Sequence, residues 1–82
     1  MTEIISSKEI TFVLKKTQPH KQFFKLLKSK FDFGDIDDVQ YDLFDSRIYV
    51  ITSEKEYMVR LWDFTENVTK ETMTIRYSIF VD

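Results

Sequence analysis

The stretch from residue 73 to residue 81 constrains the fold more than any other part of the chain. Apolar or aromatic side chains stand at every second position, with Thr74, Arg76 and Ser78 between them. Strict alternation of this kind is typical of a β-strand with one buried face. Phe80 adds a large aromatic side chain to the opposite face, which is therefore more than a polar, solvated surface.

Four other segments have a shorter alternation, and they predict the remaining strands. These strands are expected over residues 8–16, 39–44, 47–52 and 57–64, with residues 4–5 as the start of the first strand or as a separate short strand. Residues 32–38 are expected to form a connecting loop, and residues 65–70 a turn.

One segment has helical spacing instead. Its apolar residues recur with helical periodicity and share one face: Phe23, Phe24, Leu27 and Phe31. Pro19 is suited to the first turn, because its missing N–H would be unpaired there, and Thr17 or Gln18 is the expected N-cap. The helix is predicted to end near residue 31 or 32, with Gly34 as the left-handed residue that stops it.

The predicted order of elements is β-α-β-β-β-β in a single domain over residues 1–82. This order indicates an α+β fold, in which an antiparallel four- to five-stranded meander sheet carries one amphipathic helix on one face. The chain of 82 residues has no cysteine, so neither disulfides nor a thiolate metal site can stabilise it. The core must therefore come from eight Phe, four Tyr, one Trp and the aliphatic residues.

No targeting signal and no bilayer-spanning apolar stretch is visible, so a cytoplasmic protein with no membrane partner is expected. Alanine is absent, glycine and proline occur once each, and lysine outnumbers arginine. This usage is typical of AT-rich genomes, such as those of many phages and low-GC bacteria. A phage-encoded chain would act in the cytoplasm of the host cell.

No residue pattern supports catalysis, and we predict a non-enzyme without a cofactor. His20 is the single histidine, and no Ser-x-x-Lys, Gly-x-Ser-x-Gly or His-x-x-x-His spacing supplies it with a catalytic partner. A histidine at the rim of the core is the simpler interpretation. With no cysteine and one histidine, no metal site is expected either.

An acidic run is a candidate partner-binding patch. It comprises Asp35, Asp37, Asp38 and Asp42, and the surrounding residues 32–45 contain no lysine or arginine. A calcium loop needs glycine at its sixth position and glutamate at its twelfth, and both are missing here. The run is either a solvated loop and strand edge, or a row of carboxylates that plugs a basic nuclease site, as in an antitoxin or immunity protein.

A basic stripe is the second such patch. Lys21, Lys25 and Lys28 share the helix face opposite the apolar one. Lysines of this kind contact phosphates in nucleic-acid-binding proteins, and they also keep the outer face of many helices soluble. The net charge of −2 argues against tight nonspecific binding to DNA.

The sheet face away from the helix is the preferred candidate site, because one helix can cover only one face. If Ile48, Val59 and Ile75 face the helix, alternation places all three arginines and the single tryptophan on the other face. The predicted partner-binding residues there are Arg47, Tyr49, Arg60, Trp62, Arg76 and Phe80, accompanied by Ile51, Met58 and Phe64. These residue types are enriched at the centres of protein interfaces.

Three interpretations of this face remain open. The first is a protein interface, formed with a specific partner or with a second copy in a homodimer. The second is a single-stranded RNA-binding module that stacks bases on the aromatic residues, although no run matches the RNP consensus. The third is a curled sheet with both faces buried. We favour a small protein that modulates or inhibits a macromolecular partner, such as a phage or mobile-element accessory protein of the anti-defence or host-takeover type.

Overall fold

The computed structural model describes residues 3–15 and 18–81, and this part of the chain contains one α-helix and five β-strands. In chain order the elements are β1 (Glu3–Val13), α1 (Pro19–Lys30), β2 (Ile36–Asp42), β3 (Arg47–Thr52), β4 (Glu56–Asn67) and β5 (Thr72–Val81). The strands form one antiparallel sheet, and α1 packs on one of its faces. The predicted α+β fold and its β-α-β-β-β-β order are confirmed.

The strand order in the sheet is β1-β5-β4-β3-β2. Strands β2 to β5 form a meander of hairpins, in which each strand pairs with the next along the chain. Helix α1 carries the chain from β1, at one edge, to β2, at the other edge. Strand β5 therefore pairs with the first strand and with β4, which joins the two ends of the chain in one sheet.

The core lies between α1 and the sheet, and its aromatic rings meet edge to face or at a tilt. The Phe23 and Tyr77 rings lie 5.3 Å apart, and the Phe24 ring lies 5.8 Å from Phe33 and 6.2 Å from Tyr41. The fully buried side chains beneath the helix include Ile48, Val50, Val59, Ile75 and Ile79. These aliphatic residues occupy alternate positions of β3, β4 and β5, as the period of two predicts.

The helix begins as predicted and ends differently. Gln18 has an extended backbone before Pro19, and Thr17, the alternative N-cap, lies outside the described residues. At the other end Phe31 is already extended, with φ −129°, and its N–H still donates to the carbonyl of Leu27. The prediction that Gly34 ends the helix is wrong: its φ of +82° serves a separate turn, where its N–H donates to the Asp32 carboxylate.

The strand boundaries confirm one alternative and correct several others. Residues 4–5 are the start of β1, which confirms the first of the two alternatives, and β1 ends at Val13. Strand β2 starts at Ile36 inside the predicted loop and ends at Asp42, and β4 continues through residues 65–67 of the predicted turn. Irregular register occurs in these three strands, between Ile4 and Ser6, between Ile36 and Asp38, and between Leu61 and Asp63. A bulge inserts one residue in a strand and breaks the alternation used to find it.

The bulge in β4 changes which face its later residues occupy. Beyond it, Phe64 stands opposite the buried Ile75, and its ring lies 5.2 Å from the His20 ring on the helix side. The prediction that Phe64 lies on the face away from the helix is therefore wrong. Asp63, which simple alternation assigns to the helix side, instead stands opposite Arg76 on the other face.

Two phenylalanines test where the stability of this fold originates. Phe23 is completely buried, whereas Phe44 in the β2–β3 turn is 97% exposed. We expect Phe23→Ala to lower the free energy of unfolding by about 3–5 kcal/mol, because it removes buried contacts and leaves a cavity. The matched Phe44→Ala should change it by at most about 0.5 kcal/mol. Urea unfolding followed by circular dichroism measures both, and similar losses would contradict the described core.

Candidate partner-binding face

The sheet face away from α1 is termed the open face, because no element of the described chain covers it. All six predicted partner-binding residues lie on it, five by strand register and Trp62 by its contacts. Phe80 and Tyr49 both stand opposite Met58, Arg47 stands opposite Arg60, and Arg76 stands opposite Asp63. Trp62, at the bulge, contacts side chains of the same face, as described below.

An apolar row crosses one end of the open face. Its members are cross-strand neighbours on β1, β5, β4 and β3, namely Ile4, Phe80, Met58 and Tyr49. At the usual strand spacing this row is about 14 Å wide. Ile4 is exposed and the other three side chains are half-buried by one another. The row is thus a continuous, partly solvent-exposed apolar strip of moderate size.

Trp62 is the most prominent side chain of the open face and is held in a fixed orientation. Its indole Nε1–H donates to the Ser78 hydroxyl at 2.8 Å, and Ser78 in turn shares a 2.8 Å hydrogen bond with Ser7. The Arg60 guanidinium stacks 4.7 Å from the centre of the indole. Trp62 is nevertheless 48% exposed, so it is a rigid aromatic group in contact with water.

A shallow groove of about 480 Å³ runs beside this tryptophan toward β1. The indole and Arg76 form part of its lining, together with Ser7, Glu9 and Ser78. Ser78 is 5% exposed and is paired through its hydroxyl, so the groove carries both an apolar wall and satisfied polar groups. This combination suits a protruding side chain of a partner.

The arginines of the open face stand close to carboxylates. Arg76 forms a 2.7 Å ion pair with Asp63, and both side chains are largely exposed. Arg47 stands opposite Asp42. Its pKa, already high, is raised first by the Tyr49 hydroxyl and then by the charges of Asp45 and Asp42. The open face is therefore mixed in charge and lacks a uniformly positive potential.

The predicted acidic patch is divided between several positions. Asp35 precedes β2 and Asp37 stands at its bulge, whereas Asp38 and Asp42 lie on the open face opposite Ile51 and Arg47. Asp38 accepts hydrogen bonds from the Val39 N–H and the Gln40 side chain, and Asp42 accepts one from the N–H of Asp45. Two of the four carboxylates thus stabilise the local backbone.

The predicted basic stripe is exposed on the outer face of α1. Lys21, Lys25 and Lys28 all point away from the buried Phe23 and Leu27. The Lys28 ammonium lies 5.6 Å from the centre of the Phe24 ring, so its stem also covers part of the core. These lysines lie on the opposite side of the molecule from Trp62 and do not form a joint site with the open face.

His20 occupies the rim of the core at the start of α1. Its ring packs on Phe64, and its buried Nε2 has no hydrogen-bond partner among residues 3–15 and 18–81. Burial lowers the pKa of His20 below the ordinary value of 6.5. Over the same residues, no group of three histidine or carboxylate side chains could hold a metal ion. The histidine environment is that of a packing residue.

Sequence reasoning missed several side chains that complete the open face. Ser7 and Ile4 join this face only because β1 pairs with β5, across more than sixty residues of sequence, and Ser78 lies under Trp62 because β5 pairs with β4. The sequence around a serine in a strand does not indicate which side chain its hydroxyl will contact. The alternation of β5 alone places Ser78 on the correct face, but not under the indole.

Comparisons with known proteins identify no relative: no protein-family model, no curated protein and no solved structure matches the chain. In the described residues, α1 is too short and too polar to cross a membrane.

Arg60→Ala tests the stacking arrangement on the open face. It should expose the indole of Trp62 to water and shift its fluorescence emission to longer wavelength, because Trp62 is the single tryptophan. The free energy of unfolding should fall by at most about 1 kcal/mol, the usual range of an exposed cation–π contact. Arg47→Ala, one strand farther from the indole, should leave the emission unchanged. Identical spectra for wild type and Arg60→Ala would contradict the arrangement.

The environment of His20 predicts a pH dependence of stability. Because the folded-state pKa is lower than 6.5, the unfolded chain binds the proton more readily. Neutral His20 makes its full contribution to the free energy of unfolding above pH 6.5. This contribution is lost as the pH falls through the lower folded-state pKa. Between about pH 7.5 and about pH 5, wild type should therefore lose free energy of unfolding relative to the non-titrating variant His20→Phe. A constant difference would contradict this environment.

Proposed function

We propose that this chain is a small non-enzymatic binding protein, which modulates or inhibits another protein by docking its open face on it. The observation that carries the proposal is Trp62, fixed by Ser78 and Arg60 and still half-exposed. Rigid tryptophan and arginine side chains lose little conformational entropy on binding and dominate many protein interfaces. The adjacent apolar row, with Phe80 and Met58, adds the hydrophobic area that such an interface needs.

The charges of the open face favour a protein partner over single-stranded RNA. An RNA-binding sheet follows the phosphate backbone with a basic groove. Here Arg76 is paired with Asp63, and Arg47 has Asp42 opposite and Asp45 nearby. The lysine stripe that could contact phosphates lies on α1, behind the sheet. A face of mixed charge is better suited to the mixed charges of a folded protein.

The acidic-plug hypothesis receives less support. A plug presents its carboxylates together to a basic cleft, whereas Asp38 and Asp42 accept hydrogen bonds from backbone N–H groups of nearby residues. The composition, typical of AT-rich genomes that include those of many phages, is the basis for proposing the kind of partner. We expect the partner to be a host or defence protein whose activity falls when the open face occupies it.

Capture experiments test the proposal with matched variants. Tagged wild type, the double variant Arg60→Ala/Trp62→Ala and the control Val68→Ala are exposed to a lysate of the native host, with and without ribonuclease. We expect wild type and control to retain the same protein, and the double variant to lose it at an unchanged fold by circular dichroism. Trp62 and Arg60 lie on the open face, whereas Val68 projects from the turn between β4 and β5 and is 77% exposed.

Several outcomes would reject the proposal. Retention by the double variant would show that the partner binds elsewhere. A partner that ribonuclease removes, with binding that weakens steeply as salt increases, would establish RNA recognition instead. Sedimentation of the free protein distinguishes a homodimer from a monomer. In a homodimer formed through the open face, soluble quenchers would not reach Trp62 even before a partner is added.

A further inference from the structure

Among residues 3–15 and 18–81, no strand pairs with the second half of β4 on the side that faces away from β5, so this backbone edge is free. Strand β3 pairs with β4 only as far as Arg60, and the Leu61 N–H makes one further hydrogen bond, of 2.9 Å, to the Ser46 carbonyl. Residues 62–67 of β4, termed the overhang, continue past the end of β3 and remain paired with β5 on their other side. All six residues of the overhang are exposed.

The register identifies which backbone groups of the overhang are free. Leu61 directs its N–H toward β3. Because backbone direction alternates along a strand, its neighbour Arg60 directs its N–H toward β5, where it faces Ser78. Strand β5 continues without a bulge, and Asp63 and Thr65 therefore point their backbone groups at it. The backbone N–H and C=O groups of Phe64 and Glu66 point away from β5, into the space beyond the end of β3.

Apolar side chains surround this free edge. Phe44 and Leu43, in the turn that ends β2, are 97% and 50% exposed, and Trp62 and Phe64 of the overhang are also exposed. The other sheet edges are protected in familiar ways. Strand β2 carries a bulge and aspartates, and β1 carries a bulge and charged residues along its centre. The overhang joins free backbone groups to exposed aromatic groups within about 20 Å of strand.

We propose that the overhang is a β-addition site, which pairs with an extended, basic segment of a partner protein. The charge comes from the two stretches that border the site, residues 43–46 and 62–67, which contain Asp45, Asp63 and Glu66 and no lysine or arginine. Asp63 is already paired with Arg76, which leaves Asp45 and Glu66 to attract basic side chains. The added strand supplies backbone hydrogen bonds, and its alternate side chains contact Phe44 and Phe64.

A second copy of the chain is a poorer occupant. Antiparallel pairing of two overhangs would bring both Glu66 side chains and both turns with Asp45 into one short ladder. Like charges that face each other across strands are destabilising. Glu66, at which the overhang is tested, lies outside the open face, because it stands opposite the buried Met73 on the helix side of the sheet.

Two substitutions at one position test the backbone role. Glu66→Pro removes an N–H that points away from the sheet, so it leaves the hydrogen bonds to β5 intact. Glu66→Val removes the same charge and keeps the N–H. Random octapeptides displayed as a library are first selected on wild type, and the affinity of the enriched peptide is then measured on both variants. Circular dichroism establishes that each variant is folded.

The expected peptide carries a lysine or arginine and an apolar residue two positions apart, because Glu66 and Phe64 share the helix face of β4. Glu66→Val should weaken its binding several-fold, and Glu66→Pro should weaken it about tenfold further, because one hydrogen bond and the approach of the added strand are lost. Absence of enrichment, equal affinity for the two variants, or an enriched acidic peptide would overturn the proposal. So would slow amide exchange of Phe64 and Glu66 in the free protein, since it would mean that a second copy already covers the edge.

Discussion

One helix has to serve five strands, and this constraint determines the rest of the molecule. Helix α1 is 12 residues long and buries Phe23, Phe24 and Leu27 against a single face of the sheet. The hydrophobic stabilisation is concentrated in that layer, where Ile75 and Val59 are completely buried. The other face must therefore remain soluble while it carries apolar residues, and it does so by packing them half-buried among arginines and carboxylates.

The bulge at Trp62 links the open face to the edge of the sheet. It keeps the indole on the open face, where Ser78 binds it, and moves Phe64 to the helix side under His20. It also lies where β4 leaves β3, so the same residue borders the open face and the overhang. Two surfaces of different character, one of side chains and one of free backbone, thus meet at one tryptophan.

The sequence predicts the fold wherever local periodicity decides the structure. Strand β3 is found with its true boundaries, because its alternation is unbroken. The sides taken by Phe64 and Asp63 could not be predicted, since a bulge depends on strand pairing and leaves no local signal. All six predicted partner-binding residues share the open face, yet Ser78, which orients Trp62, is recognisable only from the tertiary structure.

The most direct test of the central claim is paramagnetic relaxation by a soluble gadolinium chelate, measured by NMR with and without the captured partner. The account predicts strong relaxation of the Trp62 ring and the Met58 methyl in the free protein, and protection of both in the complex. Val59 and Ile79, which are fully buried, should be protected in both states. If Trp62 and Met58 are already protected in the free monomer, or remain accessible in the complex, the open face is not the binding surface.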